Sequence, residues 1–290
     1  EAVMRKVLVS ALALFCLAAA GSACAADTAV LARGKQLMEG IVACGNCHMA
    51  VSPQGEPQFG KPLTGGFKFD DPAFTAYAPN ITPDAATGIG GWTDAQLAKA
   101  IREGIRPDGR LIGPPMPVGF YRHIADADLA AIIAWLRAQP AVRNEVPKSV
   151  YRMPLPPDYG PPVGSVTAPP TSDKVRYGEY LANIGHCMDC HTPRDAKGML
   201  IRAQWGAGGQ AIPGPWGVSI SRNLTPGPGG LKDWTDAEIA HTIRTGLNRL
   251  GQALKPPMAF WFYKNIADAD MAALIAYLRS LEPLPLGGKS

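Results

Sequence analysis

Two copies of one five-residue pattern, Cys-x-x-Cys-His, are the residues in this chain with the clearest chemistry. They occupy positions 44–48 and 187–191. The two thiols of such a pattern can add to the vinyl groups of a porphyrin, and the histidine is then held where its imidazole reaches the iron. A redox pair or half of a zinc site would use the same cysteines, but a redox pair is expected in a βαβ context, which this sequence lacks. Because the pattern occurs twice, the sequence predicts two covalently bound haem c groups, held by Cys44, Cys47, His48, Cys187, Cys190 and His191.

A methionine in each half of the chain is placed to be the second axial ligand of the iron. Met116 and Met258 each follow a Pro-Pro pair, and prolines restrict the backbone enough to hold a thioether rigidly. Methionine opposite histidine gives an electron-transfer haem of raised potential. The remaining histidines have no histidine counterpart in the other half and are expected at the surface or in the core: His123, His186 and His241. Methionines without a methionine counterpart are expected to fill gaps in the core: Met38, Met153, Met199 and Met271.

The chain as a whole is one unit written twice. Cys44 recurs 143 positions later as Cys187 (187 − 44), and Trp92 recurs 142 positions later as Trp234 (234 − 92). Each unit has a first helix, the haem motif, loops rich in glycine and proline, a second helix, a Pro-Pro-Met loop and a closing helix. The organisation therefore predicts two tandem domains of the same fold.

Local patterns place the first two helices of each unit. The first helix precedes the haem motif, at residues 30–39 and 176–183. The second begins at a Trp-Thr-Asp-Ala sequence with a capping box and ends at a glycine that suits a left-handed cap. The residues of these signals are Thr93, Gln96 and Gly104 in the first unit and Thr235, Glu238 and Gly246 in the second.

The closing helix is amphipathic with the helical period. Asp126 and Asp268 are predicted as its N-caps, and Asp128 is explained by its favourable interaction with the helix dipole. Gly34 and Gly178, in the first helices, are predicted to let the closing helix cross at short distance.

Four further residues are expected to line the haem pockets. Asn80 and Asn223 each begin an Asn-x-Thr-Pro sequence. Two interpretations stay open for them: a proline turn closed by an Asx-type bond, or an amide and hydroxyl that bind haem propionates. Trp92 and Trp234 are expected to be pocket walls, with ordinary core aromatic residues as the alternative.

The first 26 residues are predicted to be a cleaved signal peptide. Arg5 and Lys6 precede an apolar run over 7–20, and small residues surround Cys24, which is the pattern of a secretory leader. Lipidation of Cys24 is the alternative, and the residues before it lack the usual large apolar side chain. Since no later apolar run is long enough to span a bilayer, we expect a periplasmic protein that is soluble or at most peripheral on the membrane.

Composition restricts the possible partners and the domain boundaries. The 290 residues carry a formal charge of +4 without any run of lysine and arginine, which argues against nucleic acid as a partner. Residues 143–172 are rich in proline and predict an extended, semi-rigid linker. The predicted domains are therefore 27–142 and 173–290.

The motif set resembles the cytochrome c subunits of bacterial membrane-bound alcohol, aldehyde and gluconate dehydrogenases. The resemblance covers both units and is carried by the haem motif and by the sequences at 80–84, 88–94 and 114–117. It implies an all-α fold of two class I cytochrome c domains with histidine and methionine ligands. It also implies a relay from a dehydrogenase to a quinone, another cytochrome or a terminal oxidase. Those subunits commonly carry three haem domains and a membrane-associating C-terminal segment, whereas the motif occurs twice here, so we expect a soluble di-haem carrier or subunit.

These residues are compatible with three functions. The first is a periplasmic carrier of single electrons, which needs no catalytic side chain of its own. The second is a di-haem redox enzyme, such as a peroxidase or thiosulfate oxidoreductase, in which one haem keeps an exchangeable axial site; a Pro-Pro-Met sequence in both units argues against it. The third is a cytochrome module of a terminal oxidase, which would need a retained membrane anchor.

Overall fold

A computed structural model of the chain describes residues 27–50, 52, 58, 61–214 and 216–287. The predicted signal peptide, with Cys16 and Cys24, lies outside the described residues, and so do the cleavage and lipidation predictions. Among the residues that are described, no helix has both the length and the apolar composition needed to cross a membrane.

Helices dominate both units, as the predicted fold class requires. The first unit runs through α1 (27–38), α2 (Gly45–His48), β1 (Lys68–Asp71), β2 (Phe74–Tyr77), α3 (Asp94–Glu103), α4 (Val118–Tyr121) and α5 (Asp126–Arg137). A connecting segment contains β3 (Val150–Tyr151). The second unit runs through α6 (Lys174–Ile184), α7 (Cys187–His191), a 3₁₀ turn (Arg202–Gln204), β4 (Ala211–Gly214), β5 (Gly217–Ile220), α8 (Asp236–Thr245), α9 (Phe260–Tyr263) and α10 (Asp268–Ser280). The all-α prediction is confirmed apart from two small sheets, an antiparallel β1-β2-β3 sheet and a β4-β5 hairpin.

The first and last helices of each unit cross as closely as the glycines predicted. A Cβ added at Gly34 would collide with the carbonyl of Ala131 in α5, and one added at Gly178 would collide with the carbonyl of Ala273 in α10. Only glycine lets the two backbones approach to this distance. Both units therefore contain the same close crossing of their first and last helices.

The caps of the helices agree with the sequence at α3 and α8 but not at α5 and α10. Both predicted capping boxes are present, and both helices end in a left-handed glycine. The prediction that Asp126 and Asp268 are N-caps is wrong: the caps are alanines without a side-chain bond, and each aspartate is the first helical residue. Arginines from α3 and α8 explain the difference, since Arg102 lies 2.7 Å from the Asp126 carboxylate and Arg244 lies 2.6 Å from that of Asp268.

The proline-rich segment over 143–172 is extended and lies against the first unit. Its Tyr151 pairs with Phe74 of β2 across the sheet, and its Tyr159 hydroxyl donates to the Ile112 carbonyl at 2.7 Å. The Asp126 amide donates to the Val166 carbonyl at 2.8 Å. Hydrogen bonds therefore hold this segment along the surface of the first unit.

The two units meet where α1 and α6 approach the N-termini of α5 and α10. Asp128 is only 7% exposed and accepts two bonds from Arg33, at 2.8 and 2.9 Å, and one from Tyr180 of the other unit at 2.7 Å. The equivalent Asp270, 8% exposed, accepts a bond at 3.1 Å from Gln36 of the first unit. The helix-dipole explanation of Asp128 was therefore incomplete, because this residue joins the two units.

Candidate haem-binding site

Each Cys-x-x-Cys-His motif forms one short turn of helix. The residue before it, Ala43 or His186, has a positive φ of 48° or 43°, a left-handed conformation that is uncommon for residues other than glycine. This backbone reversal ends the preceding segment and starts α2 or α7. In such a turn the residues at spacings of three and four share one face, so both cysteines and the histidine of a motif face the same space.

The two histidines are oriented by backbone carbonyls. His48 donates from Nδ1 to the Pro79 carbonyl at 2.9 Å, and His191 donates from Nδ1 to the Arg222 carbonyl at 2.7 Å. A carbonyl only accepts, so Nδ1 carries the proton and Nε2 keeps the lone pair needed by a metal. Burial lowers the pKa of both imidazoles, which also favours the neutral ligand form.

Sequence reasoning missed Pro79 and Arg222 because they act through their backbone. No residue type marks a position that contributes only a carbonyl oxygen. Only their positions in the chain could have identified them, because each directly precedes the asparagine of an Asn-x-Thr sequence.

The four motif cysteines are not joined in disulfides. Burial raises the pKa of Cys44, Cys187 and Cys190 to about 12 and that of Cys47 to about 11. These are environments that hold protonated thiols. They do not suit a thiol-disulfide redox pair, which depends on a stabilised thiolate.

Both motifs open into one continuous cavity of about 1580 Å³. A single small-molecule pocket measures roughly 300–1,000 Å³, so this cavity has room for more than one large group. Its lining includes the motif cysteines and histidines, both Pro-Pro-Met methionines and all four predicted pocket residues: Asn80, Trp92, Asn223 and Trp234.

The wall of the cavity contains unpaired polar atoms that could form hydrogen bonds with the polar groups of a bound molecule. Arg106 Nε, Trp216 Nε1 and Thr242 Oγ1 are buried without a hydrogen-bond partner among the described residues, and all three residues line the cavity. Buried polar atoms are normally paired. A mostly apolar space with a few unpaired donors fits a haem, which has a large apolar plane and acidic propionates.

The asparagines of the Asn-x-Thr sequences hold loops in place. Asn80 Oδ1 accepts from the Thr82 amide at 2.9 Å, and its Nδ2 donates to the Thr87 hydroxyl at 3.0 Å and the Val142 carbonyl at 2.8 Å. The second unit repeats the turn and the bond to the chain behind the last helix, through Asn223, Thr225 and Leu284. The structure thus favours the Asx-turn interpretation over propionate binding for these amides.

An arginine lies over the ring of each of the two tryptophans. Arg106 lies 5.4 Å from the Trp92 ring centre, and Arg249 lies 4.7 Å from that of Trp234. A guanidinium over an aromatic face is a favourable contact. Each tryptophan therefore brings a positive charge to the border of the cavity that it lines.

Met116 and Met258 both line the cavity, on loops that are fastened by hydrogen bonds. Tyr151 donates to the Pro114 carbonyl at 3.1 Å, and Ser219 donates to the Pro256 carbonyl. The Pro-Pro bond before each methionine is cis.

The other methionines and histidines lie partly as predicted. Met38 and Met271 are core residues at 1% and 2% exposure, whereas Met153 and Met199 are 38% and 66% exposed, so the core prediction is wrong for these last two. His123 and His241 are exposed, which is one of the two locations expected for them. The His186 ring packs edge-on against Tyr121 of the first unit, with centroids 5.9 Å apart.

Known proteins that resemble the chain are cytochromes or parts of dehydrogenases. Residues 31–140 and 175–282 each match the cytochrome c family. One of the subunits of the nicotinate dehydrogenase of Pseudomonas putida is 32% identical over 89% of this chain and 22% of its own length. The alcohol dehydrogenase (quinone) cytochrome c subunit of Gluconobacter oxydans is 30% identical over 90% of this chain and 57% of its own length. A diheme cytochrome c-type protein of Cereibacter sphaeroides is 31% identical over 81% of both chains.

The chain spans about a fifth of the Pseudomonas putida relative and somewhat more than half of the Gluconobacter oxydans relative. The family match covers both units and most of the described residues, without the segment that connects the units. Together with the paired motifs and their shared cavity, these matches show that the chain belongs to the cytochrome c family and is a di-haem electron-transfer cytochrome with two covalently bound haem c groups.

Proposed function

We propose that this chain is a periplasmic carrier that takes single electrons from an alcohol, aldehyde or sugar-acid dehydrogenase and passes them to a respiratory acceptor. One observation carries the proposal. Both haem motifs and both Pro-Pro-Met methionines line one cavity, so each unit brings a candidate histidine ligand and a candidate methionine ligand to the same space. A site built in this way transfers electrons without needing a substrate-binding position at the iron.

Each set of residues has its own part in the proposal. Cys44 and Cys47 attach one haem and Cys187 and Cys190 attach the other through thioethers. His48 and His191 would each offer Nε2 to the iron, with their rings fixed by the Pro79 and Arg222 carbonyls. Met116 and Met258 would each offer a thioether sulfur, and the prolines before them restrict the backbone. When bound, each haem supplies a one-electron iron couple whose potential is raised by the thioether.

Two buried tyrosines in the wall of this space carry no charge. Tyr121 and Tyr263 line the cavity at 4% and 6% exposure. Burial raises the pKa of both phenols well above the ordinary value, which keeps them neutral. Neutral phenols at these two positions suit a carrier, because neither has to gain or lose a proton when one electron enters and leaves.

The donor and the acceptor are inferred from relatives. The Gluconobacter oxydans protein is named a cytochrome c subunit of a quinone alcohol dehydrogenase, and a Pantoea cypripedii relative is named a gluconate 2-dehydrogenase cytochrome c subunit. We infer a dehydrogenase of this type as donor and a quinone, another cytochrome or a terminal oxidase as acceptor. Reduction of the purified protein by candidate dehydrogenases with their substrates tests the donor. Failure with alcohol, aldehyde and sugar-acid enzymes alike would contradict it.

Substitution of each methionine tests the ligand assignment. Met116→Ala and Met258→Ala should each remove about half of the far-red sulfur-to-iron band of the oxidised protein and create one carbon monoxide site per reduced chain. The pyridine haemochrome should still report two haems in each variant. An unchanged band would reassign the ligand. Rapid binding of carbon monoxide or peroxide by the unmodified protein would instead favour a di-haem redox enzyme.

A further inference from the structure

Asn46 lies inside the first haem motif but forms a hydrogen bond with the second unit. Its Nδ2 donates to the Pro257 carbonyl at 2.9 Å. Pro257 directly precedes Met258 in the Pro-Pro-Met loop. A side chain from the attachment site of one haem thus fixes the backbone beside the predicted axial ligand of the other.

The surrounding contacts make this approach specific. Gly45, next to Asn46, leaves space for the ring of Phe262, since an added Cβ would lie 2.7 Å from its ζ carbon. Further along the same segment of the second unit, Asn265 donates to the Glu39 carbonyl at 2.9 Å. Three residues between positions 257 and 265 therefore contact the first unit: Pro257 at Asn46, Phe262 at Gly45 and Asn265 at Glu39, just after α1.

The equivalent residue of the second motif does something different. Asp189 occupies the position of Asn46 and accepts a bond from Arg194 of its own unit. The first unit's Pro-Pro-Met loop is fastened by Tyr151 of the connecting segment. Within the described residues, Asn46 is thus a restraint on one methionine loop that the repeat does not copy.

We propose that Asn46 is a positioning residue for Met258, holding the loop so that the thioether stays bound to the iron of the second haem. The proposal rests on the proposed function in one respect, the assignment of Met258 as axial ligand. Losing one hydrogen bond weakens an interaction by roughly 0.5–1.5 kcal/mol. The methionine should then be displaced by an added ligand at roughly 2- to 10-fold lower concentration.

The test follows displacement of Met258 by imidazole. In a Met116→Ala background, the remaining far-red band belongs to the Met258 haem, and its loss on titration gives a midpoint. Adding Asn46→Asp, which keeps the shape but removes the donor, or Asn46→Ala should lower that midpoint by roughly 2- to 10-fold. Asn144→Asp is the matched control, since Asn144 Nδ2 donates to the Thr64 carbonyl at 2.8 Å outside both haem motifs, and it should leave the midpoint unchanged.

A reciprocal background separates this effect from one on the first haem. In the Met258→Ala background the remaining far-red band reports Met116. Asn46→Asp should leave the imidazole midpoint of this band unchanged, although Asn46 belongs to the motif of the first haem. The natural aspartate at position 189 shows that such a motif tolerates this residue, and two haems by pyridine haemochrome verify loading.

Either of two results would overturn the proposal: midpoints for the Met258 band that stay the same in both Asn46 variants, or a shift confined to the Met116 band. Failure of the ligand assignment is recognised separately, because Met258→Ala alone would then keep the full band.

Discussion

The two units repeat the Pro-Pro-Met sequence, but they support it from different places. In the first unit Tyr151 of the connecting segment donates to the Pro114 carbonyl. In the second, Ser219 of the unit's own hairpin donates to the Pro256 carbonyl, and Asn46 of the other unit donates to that of Pro257. The repeat therefore copies the site itself, whereas the supports around it depend on what the rest of the chain places nearby.

Contacts within a unit show the opposite behaviour. Arg137 of α5 holds Asp94 at 3.0 Å, and Arg279 of α10 holds Asp236 at the same distance. Each arginine also donates to the carbonyl of the tryptophan before the second helix, Trp92 or Trp234. These bonds join elements of one repeat, so they recur when the repeat does. The difference teaches that bonds between the helices of a unit are repeated, whereas the bonds that support the methionine loops are not.

The interface aspartates give the largest expected difference between the units. Arg33 lies 2.8 Å from the Asp128 carboxylate and 3.7 Å from that of Asp270, so Asp128→Asn removes its closer counter-charge and should lower stability by about 3 kcal/mol. Asp270 is different, because burial raises its pKa. Asp270→Asn should therefore be neutral or stabilising at pH 7. Thermal unfolding of both variants measures this contrast, and equal losses would contradict it.

The pH dependence follows from the same pKa. A carboxyl group whose folded pKa is raised favours the folded state below its unfolded pKa, about 3.9, and loses that contribution as pH rises through the folded value. The unmodified protein should therefore lose stability relative to Asp270→Asn between about pH 4 and the folded pKa. A constant difference across that range would contradict the role of Asp270.

The helix crossings should respond equally in the two units. Gly34→Ala and Gly178→Ala each place a methyl group against a backbone carbonyl of the closing helix. Overpacking of this kind costs roughly 1–3 kcal/mol, which outweighs the gain in helix propensity of about 1 kcal/mol. We expect a similar loss of about 1–2 kcal/mol from both variants in thermal unfolding. A stabilised variant would show that the crossing can widen.

The smallest effect is expected at the connecting segment. Tyr151→Phe removes the bond to the Pro114 carbonyl and should weaken the hold on Met116 by about 1 kcal/mol. In the Met258→Ala background, imidazole should therefore displace Met116 at roughly fivefold lower concentration. Asn46→Asp in that background is the matched control. An unchanged midpoint would mean that the loop is held by its prolines alone.

Much of the fold could be predicted from local sequence. The capping boxes at α3 and α8 and the glycine crossings were correct, because each depends on residues whose types already restrict the backbone. Asp126 was mistaken for a cap because the same residue type serves a cap or an ion pair, and Arg102 that decides between them lies on another helix. Met153 and Met199 were placed in the core although both are exposed, since a missing counterpart says nothing about burial.

The sequence by itself determined the chemistry: four cysteines and two histidines at fixed spacing predict two haems, and the repeat predicts two similar domains. Only the tertiary structure decided how the two sites meet. It placed both motifs on one cavity and set Asn46 against the loop of Met258, with its bond to Pro257 spanning 211 positions. The physical reason is that a motif acts through bonds within a few residues, whereas contacts between units depend on packing that no local pattern encodes.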